Sequence, residues 1–383
     1  MLHGSTAPHL KNPTIIPLLD EIRERRDEFE KLTYVPPDIV RKLQSAGIYR
    51  AFVPRKLGGD ELSPGEFLET IELLSTADAS TGWVASFGVS TIYLAALPPD
   101  VFNEIYRKDP DTVFAGAIFP PQRAERVTGG FKVSGRWPYC SGCMGASLIG
   151  AGISIEDEGK PSGLPRMALM PRQSISIRHT WETVGLVATG SHDIVADGVV
   201  VPESWTFVRG SKPQLDHAIF RFPSMALAAQ VLAVVGLGTA REALDWLHRE
   251  ALEKPSITGA PTIGARPYIQ AELGKAEARL RSARAFFYET IDNSWQRVLA
   301  GDEIGHQERV MLRLAATQAA QEGAAVAQMA FFMGGSSAIQ RGHVLARCMI
   351  DAASVAQHAF LGTGTWTSAG AGMLAQPTPA GYP

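Results

Sequence analysis

The period of the apolar positions changes twice along the chain. From Ile15 to Leu32, in a charge-rich segment, Leu18, Leu19, Ile22, Phe29 and Leu32 fall on one stripe at helical spacing, which predicts an amphipathic helix. Pro36-Pro37 ends that helix and starts a second one carrying Ile39, Leu43 and Ile48. After a turn at Gly58-Gly59, Ser63-Pro64-Gly65-Glu66 has the form of a helix start: Ser63 can cap, Pro64 suits the first turn, and Glu66 sits three residues on. The pattern then predicts a helix from Phe67 to Thr76 and another, largely buried, from Ala79 to Leu97.

Beyond residue 112 alternation replaces helical spacing, and glycine and β-branched residues increase. Turn, strand and turn are predicted at Gly129 to Gly135, with further strands at Leu148 to Ile155, Met167 to Pro171, Ile175 to His179 and Asp193 to Pro202. Short strands between turn signals suggest a sandwich or barrel. Helical spacing returns after residue 212, with long helices at Tyr268 to Trp295 and Gln307 to Met333. The expected organisation is an N-terminal helical domain (1–112), a central β-domain (113–212) and a C-terminal four-helix bundle (213–383).

Between Arg221 and Arg241 no residue is charged, but Ala, Gly, Ser and Gln dilute the apolar side chains. This reads as a close-packed buried helix rather than a membrane span, and with no signal peptide at the N-terminus the expected location is cytoplasmic. Lys plus Arg total 36 and Asp plus Glu 39 in 383 residues, a net charge of −3, which gives no global attraction for nucleic acid or an anionic membrane. Three cysteines exclude a disulfide scaffold. Cys140 and Cys143 form a C-x-x-C without the context of a redox motif and are read as small buried residues. No spacing of His and Cys suggests a metal. Gly236-Leu237-Gly238 mimics the start of a dinucleotide loop, but Arg241 stands where Gly or Ala is needed and the flanks are helical.

The order helical, β, helical resembles the acyl-CoA dehydrogenase fold over nearly the whole chain. Its anchors are Leu57-Gly58-Gly59, Gly129 to Trp137, and Val184 to Val195 running on to Pro202. Within that superfamily the chain looks like the oxygenase components of two-component flavin-dependent monooxygenases. Asp78-Ala79-Ser80-Thr81-Gly82-Trp83, the run Gly135 to Cys143 containing Trp137 and Ser141-Gly142, and Gln357-His358-Ala359-Phe360 carry this resemblance. A dehydrogenase would instead need a carboxylate base near Ala359, and no Asp, Glu, Lys or Arg follows Asp351.

The resemblance implies reduced flavin (FMNH2 or FADH2) and O2 as co-substrates and a separate NAD(P)H:flavin reductase as partner. It also implies a homotetramer, and insertion of one oxygen atom into a small aromatic or heteroaromatic substrate through a flavin hydroperoxide. Ser141 and His358 are the expected catalytic residues, Ser141 beside flavin N5 and His358 as a base taking a substrate proton. Trp137, Ser141, Gly142, Arg266 and Arg341 are expected to hold the cofactor, the two arginines by reaching a neighbouring subunit's flavin. Trp83, Phe114, Tyr139 and Phe360 are expected to line the substrate site. On the residues alone, Ser141 also fits a turn and His358 also fits a core histidine. The competing functions are an acyl-CoA dehydrogenase-type flavin oxidoreductase and a non-catalytic ligand-binding relative.

Overall fold

The computed structural model describes residues 15–157, 160–253, 255, 261–379 and 382–383. Six helices come first: α1 (Ile15–Leu32), α2 (Pro37–Ser45), α3 (Pro64–Ala77), α4 (Ala79–Ala85), α5 (Ser90–Leu94) and α6 (Pro99–Lys108). The expected capping box opens α3. The Ser63 hydroxyl accepts from the Glu66 N–H (3.3 Å), and the Glu66 carboxylate accepts from the Ser63 N–H (2.9 Å). Asp78 caps α4 by accepting from the Thr81 N–H (2.7 Å). The single helix expected from Ala79 to Leu97 is instead broken between α4 and α5 by a 3-10 turn at Ser86–Val89. The hydroxyls of Ser86 and Ser90 donate back to the carbonyls of Trp83 and Phe87 and compete with the helical ladder. The turn also brings Gly88 so close to Ile48 that a Cβ there would lie 2.3 Å from the Ile48 carbonyl oxygen.

Eight strands follow: β1 (Phe114–Arg123), β2 (Glu125–Val127), β3 (Gly130–Cys140), β4 (Leu148–Asp157), β5 (Lys160–Pro171), β6 (Ser176–Arg178), β7 (His192–Pro202) and β8 (Thr206–Val208). They form two four-stranded sheets, in the orders β1-β4-β5-β8 and β2-β3-β7-β6. Only β1 and β4 pair in parallel, with Phe114 opposite Leu148. The strand expected to end at Gly135 continues to Cys140, because Gly135 still pairs with Ala196 and shifts in the pairing with β7 at Ser134 and at Pro138 and Tyr139 absorb the irregularities. Phe131, Val133 and Trp137 of one sheet and Ile149 and Ile153 of the other are fully buried. The Trp137 indole N–H donates to the Gly152 carbonyl (2.7 Å), fastening β3 to β4.

The chain ends in α7 (Ala218–Arg221), α8 (Ser224–Glu253), α9 (Pro267–Ala300), α10 (His306–Met333), α11 (Val344–Ala356) and α12 (Gly364–Met373). Helices α8 to α11 form the four-helix bundle, with α12 against α10. Among the described residues α8 is the one helix long and apolar enough to cross a membrane, and 83% of its most apolar stretch is buried inside the protein. Its glycines explain how. A Cβ on Gly323 of α10 would lie 2.7 Å from the Gly236 carbonyl oxygen, and one on Gly238 would lie 2.3 Å from that of Glu72 on α3. The pair that mimicked a dinucleotide loop thus permits backbone contact on both sides of α8. The buried Glu72 ties α3 to α9 by accepting from Arg284 Nε (2.8 Å) and the Tyr288 hydroxyl (2.6 Å). The apolar core runs through all three parts without a break.

Candidate active site

A cavity of about 1220 Å³ opens where the three parts meet. A pocket for one drug-sized ligand is roughly 300–1,000 Å³, so this one has room for two ligands side by side. One wall is β-structure: the start of β1 from Phe114, the turn after β3 with Tyr139 and Ser141, and the loop of residues 181–191. The opposite wall is helical, from Trp83 on α4, Tyr93 on α5 and Val231 on α8, and it closes with His358 and Phe360 just beyond α11.

The end of β3 and the turn after it depend on two left-handed residues, Tyr139 (φ 61°) in the strand and Gly142 (φ 73°) in the turn. The exposed Tyr139 ring stands edge-on to Trp181, 6.1 Å between centroids. Ser141 Oγ lies 2.6 Å from Ser191 Oγ, which lies 2.7 Å from Thr189 Oγ1, and Thr189 in turn donates to the Leu186 carbonyl (2.9 Å). The orientation that satisfies every hydroxyl has each one donating toward that carbonyl. Ser141 then offers lone pairs, not a proton, to the cavity.

The loop carrying Ser191 and Thr189 is hung from two buried ionisable groups. His192 Nδ1 accepts from the backbone N–H groups of Thr180 (3.2 Å) and Trp181 (3.1 Å). Burial, then the neighbouring His179, lowers the His192 pKa to about 4. Asp351 on α11 accepts from the Leu186 N–H (2.6 Å), and burial pushes its pKa up to about 7. Leu186 itself has φ 49°. At Gly185 a Cβ would come within 2.3 Å of Ser354 Oγ on α11.

His358 packs edge-on against Trp83 (5.7 Å) and Phe360 (5.2 Å). Its Nδ1 accepts from the Phe360 backbone N–H (3.2 Å). A ring nitrogen that accepts carries no proton, so the neutral imidazole holds its proton on Nε2. Burial, then the positive charges of Arg209 and Arg313, lowers its pKa to about 4. At neutral pH His358 is therefore an uncharged hydrogen-bond donor through Nε2. The Phe360 backbone N–H thus occupies the nitrogen that the expected role as a base would use, and Nε2 is left to donate.

Of the residues expected from sequence, the cavity brings together Trp83, Phe114, Tyr139, Ser141, His358 and Phe360. Trp137 does not reach it. Trp137 points between the sheets, fully buried and bonded to Gly152, and the register shift after it, with Tyr139 left-handed, turns Tyr139 out to the cavity instead of onto the same face. Gly142 does not line the cavity either; a Cβ there would meet Phe87 and Val84. Arg266, whose Nη1 donates to the Tyr268 hydroxyl (3.0 Å), and the exposed Arg341 lie outside the cavity of their own chain. Cys140 and Cys143 are fully buried, and the Cys143 thiol donates to the Gly190 carbonyl (3.4 Å).

Sequence reasoning missed Thr189, Ser191, Asp351 and the cavity-lining Arg209. The two hydroxyls sat inside the quoted run Val184 to Val195 and were legible only as part of it. Arg209, one residue after the three-residue strand β8, carried no periodic signal.

Residues 230–363 match the family described as acyl-CoA dehydrogenase, C-terminal domain. An indole-3-acetate monooxygenase of Pseudomonas putida is 51% identical over 372 residues, 97% of this chain and 95% of the relative. An indole-3-acetate monooxygenase of Acinetobacter baumannii is 46% identical over 92% of this chain and 91% of the relative. Among solved structures, XiaF from Streptomyces in complex with FADH2 and glycerol superposes with a TM-score of 0.87, at 21% identity, over 97% of this chain and 99% of that one.

Proposed function

Since the chain belongs to the oxygenase components of flavin-dependent monooxygenases built on the acyl-CoA dehydrogenase fold, we propose that its substrate is an aromatic acid of the indole-3-acetate class. The enzyme is a flavin-dependent monooxygenase that uses reduced flavin and O2, and the alternative of an acyl-CoA dehydrogenase gains no support. The observation that carries the substrate reading is identity of 51% over 97% of the chain to an indole-3-acetate monooxygenase. The cavity agrees with it, since Trp83, Phe87, Phe207 and Phe360 are among its lining residues and offer apolar faces to a flat ring.

The residues present fit a flavin. The cavity has room for an isoalloxazine beside a substrate, and the Ser141 lone pair is an acceptor for a ring N–H. When bound, the reduced flavin supplies two electrons and two protons, so that a ring C–H and O2 become C–OH and water. Around that chemistry Ser141 holds the cofactor edge, oriented by Ser191 and Thr189. With the flavin bound, His358 would point its Nε2–H toward the reacting oxygen, and Trp83, Phe114 and Phe360 would exclude water. Tyr139 and Trp181 close the solvent side.

A separate reductase supplies the reduced flavin. We assign the assembly as a homotetramer: Phe332, Ile339, Trp366, Met373 and Leu374 are exposed apolar residues of the third part, available for burial between copies. In that assembly Arg266 and Arg341 serve the partner's flavin. The burial of α8 inside the bundle fits a core helix rather than a membrane span. The test supplies reductase, NADH, FMN or FAD and indole-3-acetate, and looks for a product heavier by one oxygen atom taken from labelled O2. Oxygenation of neutral indoles alone overturns the substrate class, and a monomer in light scattering overturns the tetramer.

A further inference from the structure

The His358 end of the cavity holds positive charge that no carboxylate among the described residues neutralises. Arg209 lines it, with its guanidinium 4.6 Å from the Tyr93 ring centroid and 5.5 Å from that of Phe360. Its buried Nε has no hydrogen-bond partner, and no carboxylate pairs with it among the described residues. Behind Phe360 stands a second cation, Arg313, 5.1 Å from the same ring and almost wholly buried, with Nε and Nη1 unpartnered. The one acidic residue lining the cavity is Glu182, exposed on the loop of residues 181–191. Arg209 is half-buried at the cavity wall and Arg313 is buried behind it, and an unpaired cation withdrawn from water is stabilised by a counter-ion, so this end of the cavity suits an anion.

The aromatic contacts narrow the choice. Tyr93 and Phe360 hold the guanidinium plane in place, and a fixed guanidinium matches a carboxylate with two parallel N–H···O bonds. A planar ring lying against Trp83 and His358 would carry its anionic side chain toward Arg209. We propose that Arg209 is the carboxylate anchor of the substrate site, selecting aryl-acetate acids over neutral aromatics of the same shape, with Arg313 adding long-range attraction. This rests on the substrate reading above and names the residue that enforces it. A bound carboxylate would also offset the positive field that holds His358 neutral, linking occupancy of the anchor to the protonation of the donor beside it.

The experiment compares the parent with R209M, which keeps length and aromatic packing but removes the charge, and with R209K, which keeps the charge but not the fork. Indole-3-acetate and the neutral indole-3-acetamide are turned over with reductase and excess flavin. The expected result is a fall of the acid-to-amide ratio of kcat/KM on the order of 10²-fold in R209M, with R209K in between. A ratio that stays put, with or without loss on both substrates, makes Arg209 a packing residue and overturns the proposal. Calorimetric titration of flavin-free protein with indole-3-acetate and phenylacetate gives a readout independent of turnover. Parent binding that R209M lacks supports the anchor, and no binding to the parent overturns it. If R209M loses affinity for FMN but not for riboflavin, the anion is the cofactor phosphate and the proposal fails. If aryl acetates bind through Arg209 yet none is oxygenated, the anchor stands and the substrate reading falls. If R209M oxygenates indole-3-acetate like the parent, the reverse holds.

Discussion

Ser141 and Ser191, fifty residues apart in the chain, bring their hydroxyl oxygens to 2.6 Å of each other at the wall of the cavity. The contact joins the turn after β3 to the loop before β7, and Thr189 continues it to the Leu186 carbonyl. Because the row ends on a pure acceptor, the Ser141 hydroxyl donates to Ser191 and leaves a lone pair facing the cavity. Ser141→Ala should therefore leave flavin bound and raise the share of oxygen released as hydrogen peroxide. One such bond contributes about 0.5–1.5 kcal/mol, a twofold to tenfold change in coupling. Ser191→Ala should move coupling the same way by less, since Ser141 remains but loses its orientation. Peroxide and product measured in one reaction check both, and unchanged coupling in Ser141→Ala returns that residue to a turn role.

His358 separates two kinds of chemistry by magnitude. As a hydrogen-bond donor it contributes about 0.5–1.5 kcal/mol, so His358→Ala should reduce product per oxygen consumed two- to tenfold. His358→Asn keeps an N–H and should retain more. A general base would instead contribute on the order of 10²–10⁴-fold. The pH profile separates the two as well. With a pKa lowered to about 4, the imidazole stays neutral from pH 6 upward and coupling should be flat from pH 6 to 9. A limb near pH 7 would restore the base.

Much of this was readable before the structure, for identifiable reasons. Helical stripes, the capping box at Ser63 and alternation in β3 and β7 are local signals, and they located most elements. The break between α4 and α5 was not legible as a period, since it rests on the Ser86 and Ser90 hydroxyls turning back on the ladder and on Gly88 admitting the Ile48 backbone. At the site, Ser141, His358, Trp83 and Phe360 were legible through short motifs. Trp137 was misplaced because a motif does not say which way alternation turns a side chain once a bulge intervenes. Arg209 and Asp351 were missed because their importance lies in what fails to pair with one and what buries the other.

Trp137 gives the corresponding stability prediction. Its N–H satisfies the Gly152 carbonyl from inside the sandwich, so Trp137→Phe loses that bond and leaves a buried acceptor behind. The cost should be about 1–3 kcal/mol, read as a lower denaturant midpoint, while the folded protein binds flavin like the parent. Loss of flavin binding without loss of stability would put Trp137 back at the cofactor.

His192 predicts an acid-side loss of stability. Its folded pKa is about 4, below the unfolded value near about 6.5. As pH falls from 6.5 to 4 the unfolded chain takes up the proton first, so stability drops across that window and levels off below it. His358 is shifted the same way and adds to the fall. His192→Gln should flatten the slope of Tm between pH 6.5 and 4.5, and an unaltered slope would assign the acid sensitivity elsewhere.

Asp351 acts in the opposite direction. Its carboxyl is buried, and its folded pKa is raised to about 7 from an ordinary carboxylate value. Between those two values the folded chain binds the extra proton, so the native state gains on acidification and loses as pH rises toward 7. Above pH 7 the protein holds a buried negative charge whose partner is the Leu186 N–H, the bond that pins a left-handed residue at the cavity wall. Asp351→Asn keeps an oxygen to accept that bond and removes the charge. It should raise Tm by a few degrees at pH 8, and the gain should shrink as pH falls from 7 toward 4. Asp351→Ala removes the acceptor as well and should loosen the loop, which would appear as weaker flavin binding even where the fold survives. If Asp351→Asn is instead destabilised at pH 8, the charge itself holds the loop, through Arg347 or the backbone, and the carboxylate is ionised in the working enzyme.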